Sequence, residues 1–252
     1  DNTVFGIDAG QGLTTGFGNT FIGFEAAKLI TDSDNMVIIG RQAGNASSSS
    51  GDRTVAIGFD AHGSSISTDN VAIGYAASQF SGANFCVALG STAALFNLAS
   101  NSISIGYQAN YNGQSGAAGI ISIGYQAGRS NTSGTGTTNI GYQAGYTATT
   151  ANDNTNIGYQ AGYSNTGNSR VCVGYHAGKG DTGFACTYVG LFSGQGSGTG
   201  SSNTALGQFT LGSLTSGAQN TALGRLAGQA VNSGSNNTFV GYSAGTALTT
   251  GI

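Results

Sequence analysis

The sequence contains no proline and no tryptophan, and only 7% of its 252 residues are charged, against about 25% in an average soluble domain. Low charge combined with 38% apolar residues does not fit an intrinsically disordered chain, which needs low hydrophobicity and high charge. No run of about 18 apolar residues occurs, so we expect no segment to insert into a membrane as a helix.

Basic residues are also scarce. The net charge is −3, and the seven lysines and arginines are scattered along the chain. None forms a run that could follow a phosphate backbone, so we expect no nucleic-acid partner. Cys86, Cys172 and Cys186 are an odd number with no metal-binding spacing, and we expect small buried side chains whose redox state the sequence leaves open.

Glycine, in contrast, is abundant, with 45 residues, and its placement defines a repeat. The segment NIGYQAGY at residues 139–146 returns unchanged at residues 156–163. A short period that continues along a whole chain predicts a solenoid. We therefore expect one repeat domain over residues 1–252, without capping units. The anchor glycines recur in steps of 16 to 18 residues at Gly6, Gly23, Gly40, Gly58, Gly74, Gly90, Gly106, Gly124, Gly141, Gly158, Gly174, Gly190, Gly207, Gly224 and Gly241.

The residues around each anchor glycine alternate between strict and permissive positions. Three before the glycine all fifteen residues are β-branched, and one before it fourteen are Ile, Leu or Val, whereas two before it almost any residue occurs. This period of two is typical of a strand, and a glycine in every unit would cost a helix about 1 kcal/mol each time. We expect an all-β fold, a parallel β-solenoid of about fifteen coils. We also expect the strict positions, and the alanine three after the glycine, to face the core.

Two further columns follow the anchor glycine. Either they form an exposed stripe that binds a glycan, a receptor or another partner surface, or they form a ladder of stacked rings and hydrogen-bonded amides. The ladder is favoured because such columns are intrinsic to a repeat architecture. The inward set in each coil is thin, so the tyrosines are also expected to face other chains in a bundle of three. The columns consist of Tyr107, Tyr125, Tyr142, Tyr159 and Tyr175, and of Gln108, Gln126, Gln143 and Gln160.

No catalytic constellation is apparent. His62 and His176 occupy different columns, and the ten acidic residues form no repeated pair on adjacent coils, so we expect no enzyme, no cofactor and no metal. Calcium-binding β-rolls need an aspartate in each repeat. Ice binding would need a regular exposed threonine array. The column three before the glycine is broken by valine and isoleucine and is expected to face the core, which disfavours ice binding.

The two ends of the sequence are in phase with the repeat. Residues 244–252, AGTALTTGI, followed by residues 1–6, DNTVFG, match the internal segment AGQGLTTGFGNTFIG at residues 9–23. This match predicts either a window from a longer repeat protein or chains that stack head to tail. The head-to-tail contact would involve Asn2, Thr3, Phe5, Thr238, Val240 and Leu248.

Several units resemble a known family. DNVAIGYAA at residues 69–77, TVAIGFDA at residues 54–61 and NTALGRLAG at residues 220–228 resemble the head repeats of YadA-like trimeric autotransporter adhesins. They are also similar to the NTAIGYQAL tandem units of bacteriophage and prophage tail-fibre proteins. The resemblance covers the whole chain. It implies a left-handed parallel β-roll, usually a trimer, on a cell or virion surface, that serves attachment.

Together these patterns predict a non-enzymatic structural rod. We expect a β-solenoid segment of an extracellular fibre or adhesin, built as a homo-oligomer and used in surface attachment. The alternative is an extracellular filament that assembles head to tail and has a mechanical or matrix role. In both cases the expected partner is another copy of the chain, with a surface glycan or receptor added if the tyrosine stripe binds.

Overall fold

A computed structural model describes residues 1–45, 51–63, 67–113, 117–196 and 198–250. These residues form fifteen strands of three residues each, and every strand ends one residue before an anchor glycine. The described residues contain no helix that could span a membrane. The strands are β1 (Thr3–Phe5), β2 (Thr20–Ile22), β3 (Val37–Ile39), β4 (Val55–Ile57), β5 (Val71–Ile73), β6 (Val87–Leu89), β7 (Ile103–Ile105), β8 (Ile121–Ile123), β9 (Thr138–Ile140), β10 (Thr155–Ile157), β11 (Val171–Val173), β12 (Thr187–Val189), β13 (Thr204–Leu206), β14 (Thr221–Leu223) and β15 (Thr238–Val240).

The chain divides into two compact units, Asp1–Gln126 (unit 1) and Ala127–Ile252 (unit 2). Unit 1 holds β1 to β8 and unit 2 holds β9 to β15. Within each unit consecutive strands pair in parallel, with like positions in register. Thr138 pairs with Thr155, for example, and Ile140 with Ile157. The predicted all-β parallel solenoid is confirmed, and the sequence repeats because equivalent residues lie above one another in the ladder.

The anchor glycines mark a bend that brings neighbouring coils close together. Their φ angles lie between 121° and 138°, a region that side chains rarely adopt. A Cβ atom built on Gly158 would lie 2.5 Å from the carbonyl oxygen of Gly174 in the next coil. The glycine is therefore required both by the backbone angle and by the close approach of two backbones.

The corner after each anchor glycine continues the hydrogen-bond ladder. The second and fourth residues after the glycine adopt left-handed backbone angles, as Gln160 (φ 50°) and Gly162 (φ 54°) do. The Gln160 N–H donates to the Tyr142 carbonyl at 2.8 Å, and the Gly162 N–H donates to the Ala177 carbonyl at 2.9 Å. These bonds to the preceding and following coils offset the conformational cost of about 1–2 kcal/mol for each left-handed non-glycine residue.

The period of two is confirmed, but the prediction of which positions face the core was wrong. The permissive middle residue of the strand is buried in fourteen of the fifteen strands, whereas the flanking β-branched and aliphatic residues are partly or fully exposed. In β10, Asn156 is buried while Ile157 is 37% exposed. A coil of 16 to 18 residues encloses a narrow interior that the alanine after the corner helps to fill. One strand side chain per coil fits there, and its size varies with its neighbours.

The cores combine apolar clusters with a ladder of buried asparagines. In unit 2, Tyr188, Leu211 and Phe239 fill space between alanines. The asparagines lie four residues before the anchor glycine. The side chain of Asn203, for example, accepts a hydrogen bond from the Asn220 backbone N–H at 3.0 Å and donates one to the Gly217 carbonyl. Such bonds satisfy backbone groups that the narrow coil buries.

Candidate functional site: the outward strand face

The outward strand residues of unit 1 form an aliphatic surface, here called the strand face of unit 1. It consists of the residues three and one before the glycine in β2 to β8, and thirteen of these fourteen residues are valine, isoleucine or leucine. They are Thr20, Ile22, Val37, Ile39, Val55, Ile57, Val71, Ile73, Val87, Leu89, Ile103, Ile105, Ile121 and Ile123. None carries a charge, so the surface is suited to apolar contact.

The strand face of unit 1 is a continuous apolar surface whose side chains are partly exposed. With rows about 4.8 Å apart, seven coils and the aromatic column beside them cover roughly 500 Å². The largest exposed apolar patch on a typical monomer covers about 300–600 Å² and often has a function. The strand face of unit 1 therefore has the size and the uniform character of a functional patch.

The predicted tyrosine column forms stacks in both units. In unit 2 the ring centroids of Tyr142 and Tyr159 lie 4.9 Å apart, and those of Tyr159 and Tyr175 lie 5.0 Å apart. In unit 1, Tyr107 and Tyr125 stack at 5.3 Å. Each ring covers the face of its neighbour, and the rings are 41–44% exposed. A sugar ring, which would pack on an aromatic face, finds those faces largely occupied.

The predicted glutamine column lies beside the tyrosines. In unit 1 the Gln126 side-chain amide donates to the side-chain oxygen Oε1 of Gln108 at 2.9 Å. In unit 2 the Gln160 amide donates to that of Gln143 at 2.8 Å. The structure therefore brings the predicted aromatic and amide residues of each unit together as ladders along the stack.

A second aromatic stack in unit 2 was missed in the sequence analysis. Tyr146 and Tyr163 stack at 5.1 Å, five residues after their anchor glycines. The Arg129 guanidinium lies 5.7 Å from the centre of the Tyr146 ring, and the Lys179 ammonium lies 5.9 Å from that of Tyr163. Each of the two stacked rings therefore has one cation close to it, within cation–π distance. The signal was present in the last tyrosine of the repeated segment NIGYQAGY.

The interior of unit 2 holds a charged pair. Arg170, in the asparagine column, bonds Asp181 and lies 5.8 Å from the Tyr188 ring centre. Burial raises the pKa of the Asp181 carboxyl, although Arg170 opposes the shift, and burial also raises the pKa of the Tyr188 hydroxyl. No sequence pattern identified this pair, since it occurs in a single coil.

The three cysteines are buried and free, as the prediction of small buried side chains requires. Burial raises the pKa of the Cys172 thiol to about 11, and burial also raises the pKa values of Cys86 and Cys186. Thiols held protonated in this way are poor nucleophiles and poor metal ligands.

The two histidines lie in different surroundings. His62 is fully buried in unit 1, where its Nδ1 lies 3.3 Å from the Ser78 carbonyl oxygen. His176 of unit 2 stacks on Tyr175 at 4.2 Å. Burial lowers the pKa of both imidazoles. Across the described ranges, no group of three or more His, Cys, Asp or Glu side chains is placed to hold a metal ion.

The residues of the predicted head-to-tail contact are found in the first and last coils. Asn2, Thr3 and Phe5 belong to unit 1, and Thr238, Val240 and Leu248 belong to unit 2. Phe5 is 76% exposed and Val240 is 64% exposed. The head-to-tail contact stays a prediction.

Comparison of the chain with protein-family models, curated proteins and solved structures finds no match. The resemblance to adhesin heads and tail-fibre repeats, and the handedness and trimeric state that it implies, therefore stay predictions.

Proposed function

We propose that this chain is a non-enzymatic structural rod, a β-solenoid segment of an extracellular fibre or adhesin that serves surface attachment. The chains assemble side by side, and the strand face of unit 1 is the contact between copies. The observation that carries the proposal is the outward orientation of the valine and isoleucine columns of β2 to β8.

The size of the surface supports contact with a second copy. Two faces of roughly 500 Å² would bury about 1,000 Å² together, which reaches the lower limit of specific interfaces. Burial of apolar area favours the contact, but association also costs about 4–15 kcal/mol of translational and rotational freedom, so the area alone does not set the affinity. An interface at this lower limit favours association that reverses on dilution.

The repeat explains why the partner is the same chain. A second copy presents rows at the same spacing, so contacts made at one coil recur at each following coil. Arg41, the one charged residue in the aromatic column of the described part of unit 1, lies over the rings of Phe24 and Phe59 at 5.8 Å and 5.4 Å. The two rings thus attract the guanidinium and hold it beside the contact surface.

The test is the dependence of oligomeric state on concentration. Sedimentation of the full chain should show dimers or trimers that dissociate on dilution. Ile57→Lys combined with Ile73→Lys should give monomers, because each lysine places a charge within the contact. Electron microscopy should show the bundles of the parent chain and lose them in this variant.

The matched control carries Leu206→Lys and Leu223→Lys, which are the equivalent strand positions of unit 2. It has the same added charge and should keep the oligomers of the parent chain. A parent chain that stays monomeric at tens of micromolar would contradict the proposal, as would dissociation by the control. Long threads that both lysine variants retain would favour the head-to-tail filament instead.

A further inference from the structure

We propose that the corresponding strand face of unit 2 binds ice. This surface, here called the threonine face, consists of the residues three and one before the anchor glycine in β12 to β15. Its members are Thr187, Val189, Thr204, Leu206, Thr221, Leu223, Thr238 and Val240. The inference does not depend on the self-association proposed for unit 1, since it concerns different residues and a different partner.

The two strand faces differ in chemistry at one column. Three before the glycine, unit 1 has aliphatic residues in six of its eight strands, whereas unit 2 has threonine in six of its seven. Val171 is the exception in unit 2. The threonine face therefore alternates hydroxyl groups with aliphatic side chains, and it contains no charged residue.

The threonines are held in strict register. Thr187 pairs with Thr204, Thr204 with Thr221, and Thr221 with Thr238, while the aliphatic residues two positions later pair in the same way. The resulting net has spacings of about 4.8 Å between strands and about 6.7 Å along each strand. The spacing between strands is the one that repeats, and it is comparable with one repeat of the water oxygens on the prism plane of hexagonal ice. The second spacing separates the threonine column from the aliphatic column.

The hydroxyl groups on this face are directed to solvent. Thr204, Thr221 and Thr238 are exposed, and none of them shares a side-chain hydrogen bond with another described residue. A threonine in the turns behaves differently, since the Thr215 hydroxyl donates to the Asn232 carbonyl at 3.1 Å. The strand hydroxyls therefore remain able to bond to ordered water, while the methyl and aliphatic groups favour a water lattice over bulk solvent.

Two features of the column three before the glycine disfavoured ice binding, its interruption by valine and isoleucine and its expected place in the core. The column faces outward, and in β12 to β15 it holds threonine without interruption. A column that faces outward on a rigid ladder instead holds its groups at fixed positions, which lowers the entropic cost of binding a periodic surface. Ice is favoured over a protein partner because the face is uncharged, repeats at a fixed spacing along the stack, and is less apolar than that of unit 1.

The test measures partition of the purified full chain into slowly growing ice, together with inhibition of ice recrystallisation. The parent chain should be enriched in the ice fraction, and Thr204→Lys combined with Thr221→Lys should lower that enrichment at least tenfold. Thr221→Val, which keeps the methyl groups and the shape, should lower it less than threefold. Circular dichroism and the melting temperature identify any variant that fails to fold.

Ser216→Lys combined with Ser233→Lys is the matched control, because it adds the same charge at two exposed turn residues of unit 2 that lie outside the threonine face. This control should bind ice as the parent chain does. Exclusion of the parent chain from ice would overturn the inference, and so would a Thr204→Lys, Thr221→Lys variant that partitions like the parent. Loss of oligomers on the threonine substitutions, without ice binding by the parent, would instead identify this face as a contact between copies.

Discussion

Arg170 and Asp181 form an ion pair inside unit 2, where Nη2 of the arginine donates to Oδ2 of the carboxylate at 2.9 Å. Both side chains are buried, and Nη1 of the arginine also donates to Oδ1 of the Asn165 side chain at 2.7 Å. In another coil the same two positions hold Asn70 and Ser81. The pair is therefore a local replacement for a neutral arrangement that the fold also accepts.

This replacement predicts an asymmetry between single and double variants. Asp181→Ser should destabilise unit 2 by about 3–5 kcal/mol, because it leaves a buried guanidinium without its counter-charge. Arg170→Asn combined with Asp181→Ser should recover most of that loss by reproducing the Asn70 and Ser81 arrangement. Urea unfolding, with hydrogen exchange to locate the change, measures both. Equal losses in the two variants would show that the charge itself is unimportant.

The anchor glycine predicts intolerance of even the smallest side chain. Gly158→Ala should lower the melting temperature and open the ladder locally. An alanine at this backbone angle costs about 1–3 kcal/mol. Its Cβ would also clash with the Gly174 carbonyl oxygen, which adds to the loss of stability. Gly119→Asn is the control, because Gly119 has φ 64° and an added Cβ would meet no atom within 4 Å. This control should change stability by less than about 1 kcal/mol, since asparagine tolerates left-handed angles.

The buried imidazole of His62 predicts a dependence of stability on pH. Burial lowers its pKa in the folded state below the ordinary value of about 6.5. Well above pH 6.5 the imidazole is neutral in both the folded and the unfolded state, so its contribution to the free energy of unfolding is constant. Below it the unfolded chain binds a proton that the folded chain does not, so the free energy of unfolding falls with pH.

Replacement of His62 isolates its contribution from that of His176, whose pKa burial also lowers. His62→Asn should flatten the decline in urea midpoint between about pH 6.5 and pH 5, and His176→Gln should remove a smaller part of it. A slope that His62→Asn leaves unchanged would assign the pH dependence to other groups.

The tyrosine stack predicts a stabilising role for Tyr159, whose ring lies between those of Tyr142 and Tyr175. Tyr159→Ala should cost about 1–3 kcal/mol beyond the lost apolar area, because two stacked pairs disappear. Tyr159→Phe, which keeps the ring, should be nearly neutral. Thermal unfolding followed by circular dichroism distinguishes the two. If Tyr142→Ala and Tyr159→Ala instead leave stability and assembly intact and abolish surface adhesion, the column is a binding surface.

Much of the fold is predictable from the repeat because each coil pairs with the next coil along the chain. A parallel ladder places equivalent positions above one another, so the spacing of Gly141 and Gly158 already implies the pairing of Ile140 with Ile157. The aromatic and amide ladders follow for the same reason. The Arg170–Asp181 pair is not predictable in this way, since its members occur once and lie eleven residues apart within a single coil.

The sequence by itself determined the period, the strands, the coil boundaries and the columns, because each of these features recurs at a regular spacing along the chain. Only the tertiary structure decided which side of the strand is the inside. Side chains that alternate along a strand form two faces, and the residues of the strand alone do not show which face is buried. The glycine bend and the left-handed corner residues set the direction in which each coil closes. That closure turned Asn156 and its equivalents inward, and left Thr155, Ile157 and their equivalents at the surface, where the strand face of unit 1 and the threonine face lie.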